Sequence, residues 1–306
     1  ITQRDMDISF GLQRIFEEYY MRIVNSLHEL VPTHRISMAG GCTLNSVANG
    51  KLLIETPFRE TCIQPAAGDD GLSLGSALYV SNSVLKEKRR WVMKNSYLGD
   101  EYSDSHIKSE LNRYGLAFRE LSREALLEET SNEVVKGNVV GWFQGRMEWG
   151  PRALGNRSII AHPGFPNMKD ILNARIKHRE SFRPFAPSVL QERQSELFEQ
   201  DHPSPFMLHV YKIRPEWRER LSAVNHVDDT GRVVAEHTEQ AIQLQVDGAG
   251  LDARLVERID HDPTRFECLT QGAVRQDHRN PTLACTIRCR SCRHRSCGSP
   301  RWQSGG

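Results

Sequence analysis

Residues 141–161, GWFQGRMEWGPRALGNRSIIA, and residues 173–190, NARIKHRESFRPFAPSVL, hold the cations around which this chain is read. Arg146, Arg152, Arg157, Lys177, Arg179 and Arg183 are interleaved there with Gly, Pro and small residues. On a solvated helix, charges alternate in sign and pair four residues apart. Here the cations occupy Gly/Pro loops and element ends, positions that aim side chains at a common point. Arg grips phosphate or carboxylate through two parallel N–H bonds, and Lys adds a point charge to the same anion. The pattern implies a site for a small, highly anionic substrate. Interdomain salt bridges and an RNA-binding surface compete with that reading, and the near-neutral chain without lysine runs disfavours RNA. His162 follows the cluster but stands beside Pro163, where a structural role fits better than that of a general base.

Outward from these stretches, NVVGWF (138–143) predicts a strand, MKDILNARIKHR (168–179) a helix, and RPFAPSVL (183–190) a strand after a proline turn. Residues 105–135 carry mostly helical patterns. The polar, turn-rich NSYLGDEYSD (95–104) predicts a domain boundary. Toward the N-terminus, Ile8, Leu12, Ile15, Tyr19, Ile23, Leu27 and Leu30 recur at helical spacing until Pro32 ends the run. ISMAGG (36–41) reads as a buried strand entering a glycine turn, with TLNSVANGKLLIE (43–55) as a helix behind it. Strand, paired glycines and a helix start together favour phosphate, because the glycines admit close backbone approach and the helix end offers unpaired N–H groups. Gly40 and Gly41 would make that approach, and Asn45 would reach a ribose or phosphate oxygen; a tight turn without ligand is the competing reading. Residues 61–80 repeat the plan. Gly68-Asp69-Asp70-Gly71 sets two carboxylates before a small-residue helix, where capping and metal binding both fit.

The chain has 306 residues, 38% hydrophobic and 26% charged, with net charge +1, which suits a globular protein of two domains without a nucleic-acid or membrane bias. It has no apolar run of about 18 residues for a spanning helix and no h-region of a secretory signal, so a cytoplasmic location is the expectation. It begins with Ile1, which implies missing upstream residues. Seven cysteines without a signal peptide argue against a disulfide framework.

The two N-terminal loops resemble the second lobe of the actin-like ATPase fold in its Kae1-type form, where a GG-x-x-x-N loop contacts nucleotide and an acidic loop supplies a metal-binding aspartate. By that resemblance Asp69 is the ligand and Asp70 its neighbour. The H-x-x-x-H helix that completes the family's metal site is missing, since His28 and His34 have the wrong spacing, so the metal site would be partial. GRMEWGPRALGNRSI and IKHRESFRPFAP resemble signature stretches of the nodulation and antibiotic O-carbamoyltransferases over residues 8–232, and KHRESFRPF is similar to the K-x-R motif of YrdC-type domains. The resemblance implies a YrdC-like part that converts carbamoyl phosphate and ATP to carbamoyl adenylate. A Kae1-like part would pass the carbamoyl group to an acceptor hydroxyl, on a nodulation-factor sugar or an antibiotic. It assigns Lys177 and Arg179 to carbamoyl and phosphate binding, with Arg146, Arg152, Arg157 and Ser158 lining the same pocket and Arg183 a weaker candidate. ATP and Mg²⁺ are the implied cofactors, with a divalent metal such as Fe²⁺ in the Kae1-like domain.

The expected architecture is therefore α/β, with α+β character in the second domain. Residues 1–94 form the partial actin-like lobe, 95–233 the YrdC-like domain, and 234–306 an irregular tail. Past Val233 hydrophobic periodicity weakens, and Cys268, Cys285, Cys289, Cys292 and Cys297 crowd a segment with little to bury. Cys285, Cys289, Cys292 and Cys297 with His294 could ligate zinc, but the compressed spacing favours a reading-frame change or truncation. A remnant that binds nucleotide or carbamoyl phosphate without turnover is the alternative to an active enzyme.

Overall fold

The computed structural model describes residues 1–236, 270–274 and 282–287. Helix α1 (Gln3–Leu30) opens with a capping box in which Thr2 and Asp5 satisfy each other's backbone N–H. Strand β1 (Arg35–Met38), helix α2 (Ser46–Glu55) and strand β2 (Glu60–Ile63) follow, with β1 and β2 paired in parallel. A turn at Asp69–Gly71 leads into α3 (Leu72–Tyr79). Beyond the polar linker come α4 (Asp104–Arg113), β3 (Phe118–Glu120), α5 (Arg123–Val135), β4 (Val140–Gln144) and β5 (Arg157–Ile160). The short α6 (Met168–Ile171) continues as a wider turn through Lys177. Strand β6 (Ser188–Leu190), α7 (Gln194–Leu197), β7 (His209–Lys212) and β8 (Thr230–Glu236) build a three-stranded sheet in the order β6-β8-β7.

The mixed helix and strand content matches the α/β expectation. Two differences are informative. The boundary placed at residue 233 falls inside β8, and the region beyond it, expected to be irregular, supplies β9 (Thr270–Val274) and β10 (Thr282–Ile287). These are inner strands of a five-stranded sheet ordered β3-β9-β10-β4-β5. A ladder needs only backbone donors and acceptors on both sides, so segments too short to display a convincing period can still pair. The remaining residues of that region, including Cys268, Cys289, Cys292, His294 and Cys297, lie outside the described residues. The second difference is the face of α1. Its apolar stripe lies in solvent, with Ile23 69% and Leu30 80% exposed, while Val24 and Glu17 are buried. Helical period identified the helix but not the face that this chain covers.

Helix α2 lies directly on β7, which joins the first part of the chain to the last sheet. A Cβ at Gly50 would overlap the Val210 carbonyl oxygen, so the two backbones touch where only glycine leaves room. Next to it Asn49 is fully buried and fully used: its amide donates to Thr43 O at 2.8 Å and Leu208 O at 2.9 Å, and its oxygen accepts from Tyr20 Oη at 2.7 Å. The same seam holds a chain of hydrogen bonds. Ser204 Oγ donates to Val233 O at 3.0 Å, which leaves it to accept from His209 Nδ1 at 3.3 Å. His209 Nε2 then accepts from Thr61 Oγ1 at 3.3 Å, and Thr61 lies 3.5 Å from His202 Nε2.

Two outcomes are expected from this seam. Gly50→Ala should destabilise the fold by about 1–3 kcal/mol through overpacking, read as a lower urea midpoint; an unchanged midpoint would show that the helix is not pressed against the strand. Burial lowers the His209 pKa to about 3, with the neighbouring His202 adding to the effect. A histidine depressed below its unfolded value of 6.5 stabilises the fold fully above that pH, and the contribution shrinks as pH falls toward 3. Thermal melts should therefore lose stability below about pH 6.5, and His209→Gln should flatten the slope; equal slopes would exclude His209 as the source.

Candidate functional site

The arginine-rich loop spans the connection between β4 and β5, and one carboxylate sets its shape. The Glu148 side chain has no exposed surface. Its Oε1 accepts the backbone N–H groups of Leu154 at 2.5 Å, Asn156 at 2.8 Å and Arg157 at 3.3 Å. Its Oε2 accepts Arg157 Nε at 2.6 Å, and its carbonyl accepts Arg157 Nη2 at 3.0 Å. Asn156 fastens the loop's other side, donating to Arg146 O at 2.6 Å and accepting from Gln144 Nε2 at 3.1 Å. The linker is bonded to the same loop through Trp149 N to Ser96 O, Met147 N to Asp100 O, and Arg146 Nε to Gly99 O at 3.0 Å.

Three loops that the sequence marked separately meet here. Gly40 N donates to Ala67 O at 2.7 Å, which ties the glycine loop to the segment before Asp69. Gly150, with φ of +101°, comes so close to Pro65 and Ala66 that a Cβ would lie 3.0 Å from the Pro65 backbone. The arginine loop therefore rests on the acidic loop's own segment. Leu154 also packs in a buried cluster with Ala186, Met207 and Val234, so the two cation-bearing stretches share a core. A cavity of about 200 Å³ opens beside that cluster, lined by residues that include Lys94, Asn95, Ser96, Tyr97, Leu154 and Phe206.

The individual candidates fall into distinct situations. Arg146 is exposed, Arg152 is half-buried, and Ser158 is buried at the start of β5, where its Oγ accepts Gly155 N at 3.2 Å. Lys177 and Arg179 lie at the end of the turn after α6, both half-buried. Arg179 donates from Nε to Asn173 Oδ1 at 2.6 Å, and its guanidinium lies 4.6 Å from the centre of the Phe185 ring. Such stacking suits Arg and fixes the plane of its fork. Arg183 is exposed and pairs with Glu180 at 2.8 Å. His162 accepts Gly164 N at 3.1 Å in a local turn, and burial lowers its pKa.

The glycine loop differs in detail from its expected form. The segment Gly41–Leu44 is a 3₁₀ turn, and α2 begins only at Ser46. Asn45 caps that helix, accepting Ala48 N at 3.1 Å, and its amide donates to Gln13 at 2.9 Å. The donor that a phosphate would use at the helix start is thus met by Asn45 itself. Gly40 and Gly41 stay open above the turn, since a Cβ at either meets nothing within 4 Å. Asp69 and Asp70 are exposed at the head of α3. Among the described residues no group of three or more His, Cys, Asp or Glu side chains could hold a metal ion, and no helix is long and apolar enough to cross a membrane.

Sequence reasoning missed Glu148 and Asn173. The first stood out as the one acid among the arginines of the quoted loop, and the second as a buried amide one turn ahead of Lys177.

Residues 1–78 match the carbamoyltransferase N-terminus family and residues 131–246 the carbamoyltransferase C-terminus family. The chain is 41% identical to an uncharacterised protein of Synechocystis over 78% of this chain and 43% of that protein. It is 40% identical to nodulation protein NolNO of Sinorhizobium fredii over 78% of the chain and 36% of that protein. Nodulation protein NolO of Bradyrhizobium diazoefficiens is 37% identical over 76% and 43%, respectively. The chain belongs to the carbamoyltransferase family, and it spans about two fifths of the length of these relatives.

Because Asn45 joins α2 to α1 through Gln13, Asn45→Ala should cost about 0.5–2 kcal/mol as a lost helix cap. Thermal unfolding checks this, and an unaltered midpoint would mean that the cap is dispensable.

Proposed function

We propose that this chain carries the carbamoyl-activating part of an ATP-dependent O-carbamoyltransferase, with a YrdC-like unit around residues 95–233 and a partial Kae1-like, actin-type unit in residues 1–94. The observation that carries the reading is the convergence of the family's two segments, in which the arginine loop rests on the Pro65–Ala66 backbone, while within the second segment its Leu154 shares a core with Ala186. Carbamoyl phosphate would be hydrolysed to carbamate and phosphate, carbamate would displace pyrophosphate from the α-phosphorus of ATP to give carbamoyl adenylate, and an acceptor hydroxyl would then take the carbamoyl group with AMP as the leaving group. We take a sugar hydroxyl of a nodulation factor as the acceptor, a choice in keeping with relatives that are nodulation proteins.

In this reading Lys177 and Arg179 hold the carbamoyl and phosphate groups, and Arg146, Arg152, Arg157 and Ser158 line the same pocket. Adenylation gathers negative charge on the transferring phosphoryl oxygens, and preorganised guanidinium groups offset it without reorganising during reaction. Stacking of Arg179 on Phe185 supports such preorganisation. Gly40 and Gly41 would face the nucleotide. One or two carboxylates plus phosphate oxygens suffice for Mg²⁺, and the exposed Asp69 and Asp70 fit that donor set for an ion used in transfer, separate from the Mg²⁺ that accompanies ATP in activation. They do not fit a resident iron, which needs more protein ligands than the described residues bring together. The second reading is a protein that binds carbamoyl phosphate or nucleotide without completing transfer.

The test is pyrophosphate–ATP exchange dependent on carbamoyl phosphate, run with the 306-residue chain. Arg179→Ala should reduce the exchange by roughly 10²–10³-fold, as removal of a charge-stabilising donor does. Asp69→Asn should spare exchange while reducing delivery to an acceptor hydroxyl. Carbamoyl phosphate binding without exchange selects the second reading; absence of both overturns the two together.

A further inference from the structure

We infer that Glu148 is a positioning residue of the anion site: it holds Arg157 and the arginine loop in the one shape that presents a guanidinium corner to the substrate. The inference rests on the proposed carbamoyl phosphate site and specifies how that site is kept in shape. Three features of the geometry carry it. The carboxylate has no exposed surface, so it exchanges no hydrogen bonds with bulk water and depends on the donors around it. Those donors are three backbone N–H groups spread over Leu154 to Arg157 together with Arg157 Nε, so the acid closes the loop on itself. Finally, Nε and Nη2 of Arg157 are both engaged by Glu148, which leaves Nη1 without a protein partner among the described residues.

An Arg held along one edge cannot swing about its own stem. Its unengaged corner then points in a fixed direction, which is what bidentate or charge-assisted recognition of phosphate requires. Arg157 is 19% exposed at the side chain, enough for that corner to meet a ligand while the held edge stays dry. The other cations differ. Arg183 pairs on the surface with Glu180, where solvent screens the pair and each side chain keeps its rotamer freedom. Glu148 is thus the acid that the cationic site requires within its own framework, and it lies behind the site and not in it. The carboxylate touches no substrate in this account; its effect passes through Arg157 and the loop.

The experiment measures carbamoyl phosphate binding by titration calorimetry on the full chain, alongside the NMR signal of the Arg157 Nε–H. In the unaltered protein that signal should be protected from exchange and should shift when carbamoyl phosphate is added. Glu148→Gln keeps the shape of the side chain but loses the charge opposite Arg157, so affinity should fall at least about tenfold and the protected signal should vanish. Arg157→Lys guards against a folding failure of the first variant, because Lys preserves the ion pair while removing the fork. It should retain a near-normal melting temperature and still lose at least about tenfold in affinity. Glu129→Gln, which disrupts an exposed pair with Arg119, serves as the control and should leave binding unchanged. Unaltered affinity in either Glu148→Gln or Arg157→Lys, with the parent protein binding normally, overturns this inference alone. Lack of binding by the parent protein overturns the proposed site, and this inference with it.

Discussion

A carboxylate withdrawn wholly from water must be met by donors, or it costs several kcal/mol and drives the fold apart. Glu148 imposes that condition in the connection between β4 and β5. That connection is long and rich in glycine and proline, and nothing in its composition would give it a unique shape. Once the acid is buried, three backbone N–H groups and a guanidinium have to come to it. The rest follows in sequence: Leu154 is delivered to the cluster with Ala186 and Val234, and Gly150 is brought against Pro65. Removing one partner from such an arrangement typically costs 3–5 kcal/mol, a large part of the total stability of a domain.

The second constraint is steric. Gly50 lets α2 rest on β7, and Asn49 crosses the join with every polar atom of its amide in use. Together they fix where the glycine loop and the acidic loop stand relative to the arginine loop. A family defined by two segments, matched here at residues 1–78 and 131–246, thus meets across a close-packed seam whose buried polar side chains are hydrogen-bonded to one another and to backbone.

Much of this was legible in the residues. The elements α1, β1, α3, α5 and β4 follow from period, capping and turn residues, because those signals are local. The two cationic stretches were also legible, since arginines in Gly/Pro loops break the usual i,i+4 pairing. Three things were not. The face of α1 that is buried depends on what packs against it, and the period that marks the helix does not contain that information. The start of α2 moved from near Thr43 to Ser46 because Asn45 competes for the helix's first N–H groups, a contest between side chain and backbone that spacing alone leaves open. Glu148 was passed over because attention to convergent positive charge hides the acid that makes convergence tolerable. Strands β9 and β10 were missed for a further reason: inner strands draw on partners far away in sequence, and five or six residues carry too little pattern to predict them.

The contact between Asn49 and Leu208 spans 159 residues of chain, and that separation governs how the protein must be made. At roughly 5–20 residues per second of synthesis, α2 emerges from the ribosome about 8–30 s before β7 exists. For all that time the surface meant for β7, including the glycine gap and the amide of Asn49, has no permanent cover. The long-range closure entropy must also be met before the contact repays it. The nascent N-terminal part is therefore structurally incomplete until the last sheet arrives, so its completion is tied to the synthesis of residues far along the chain.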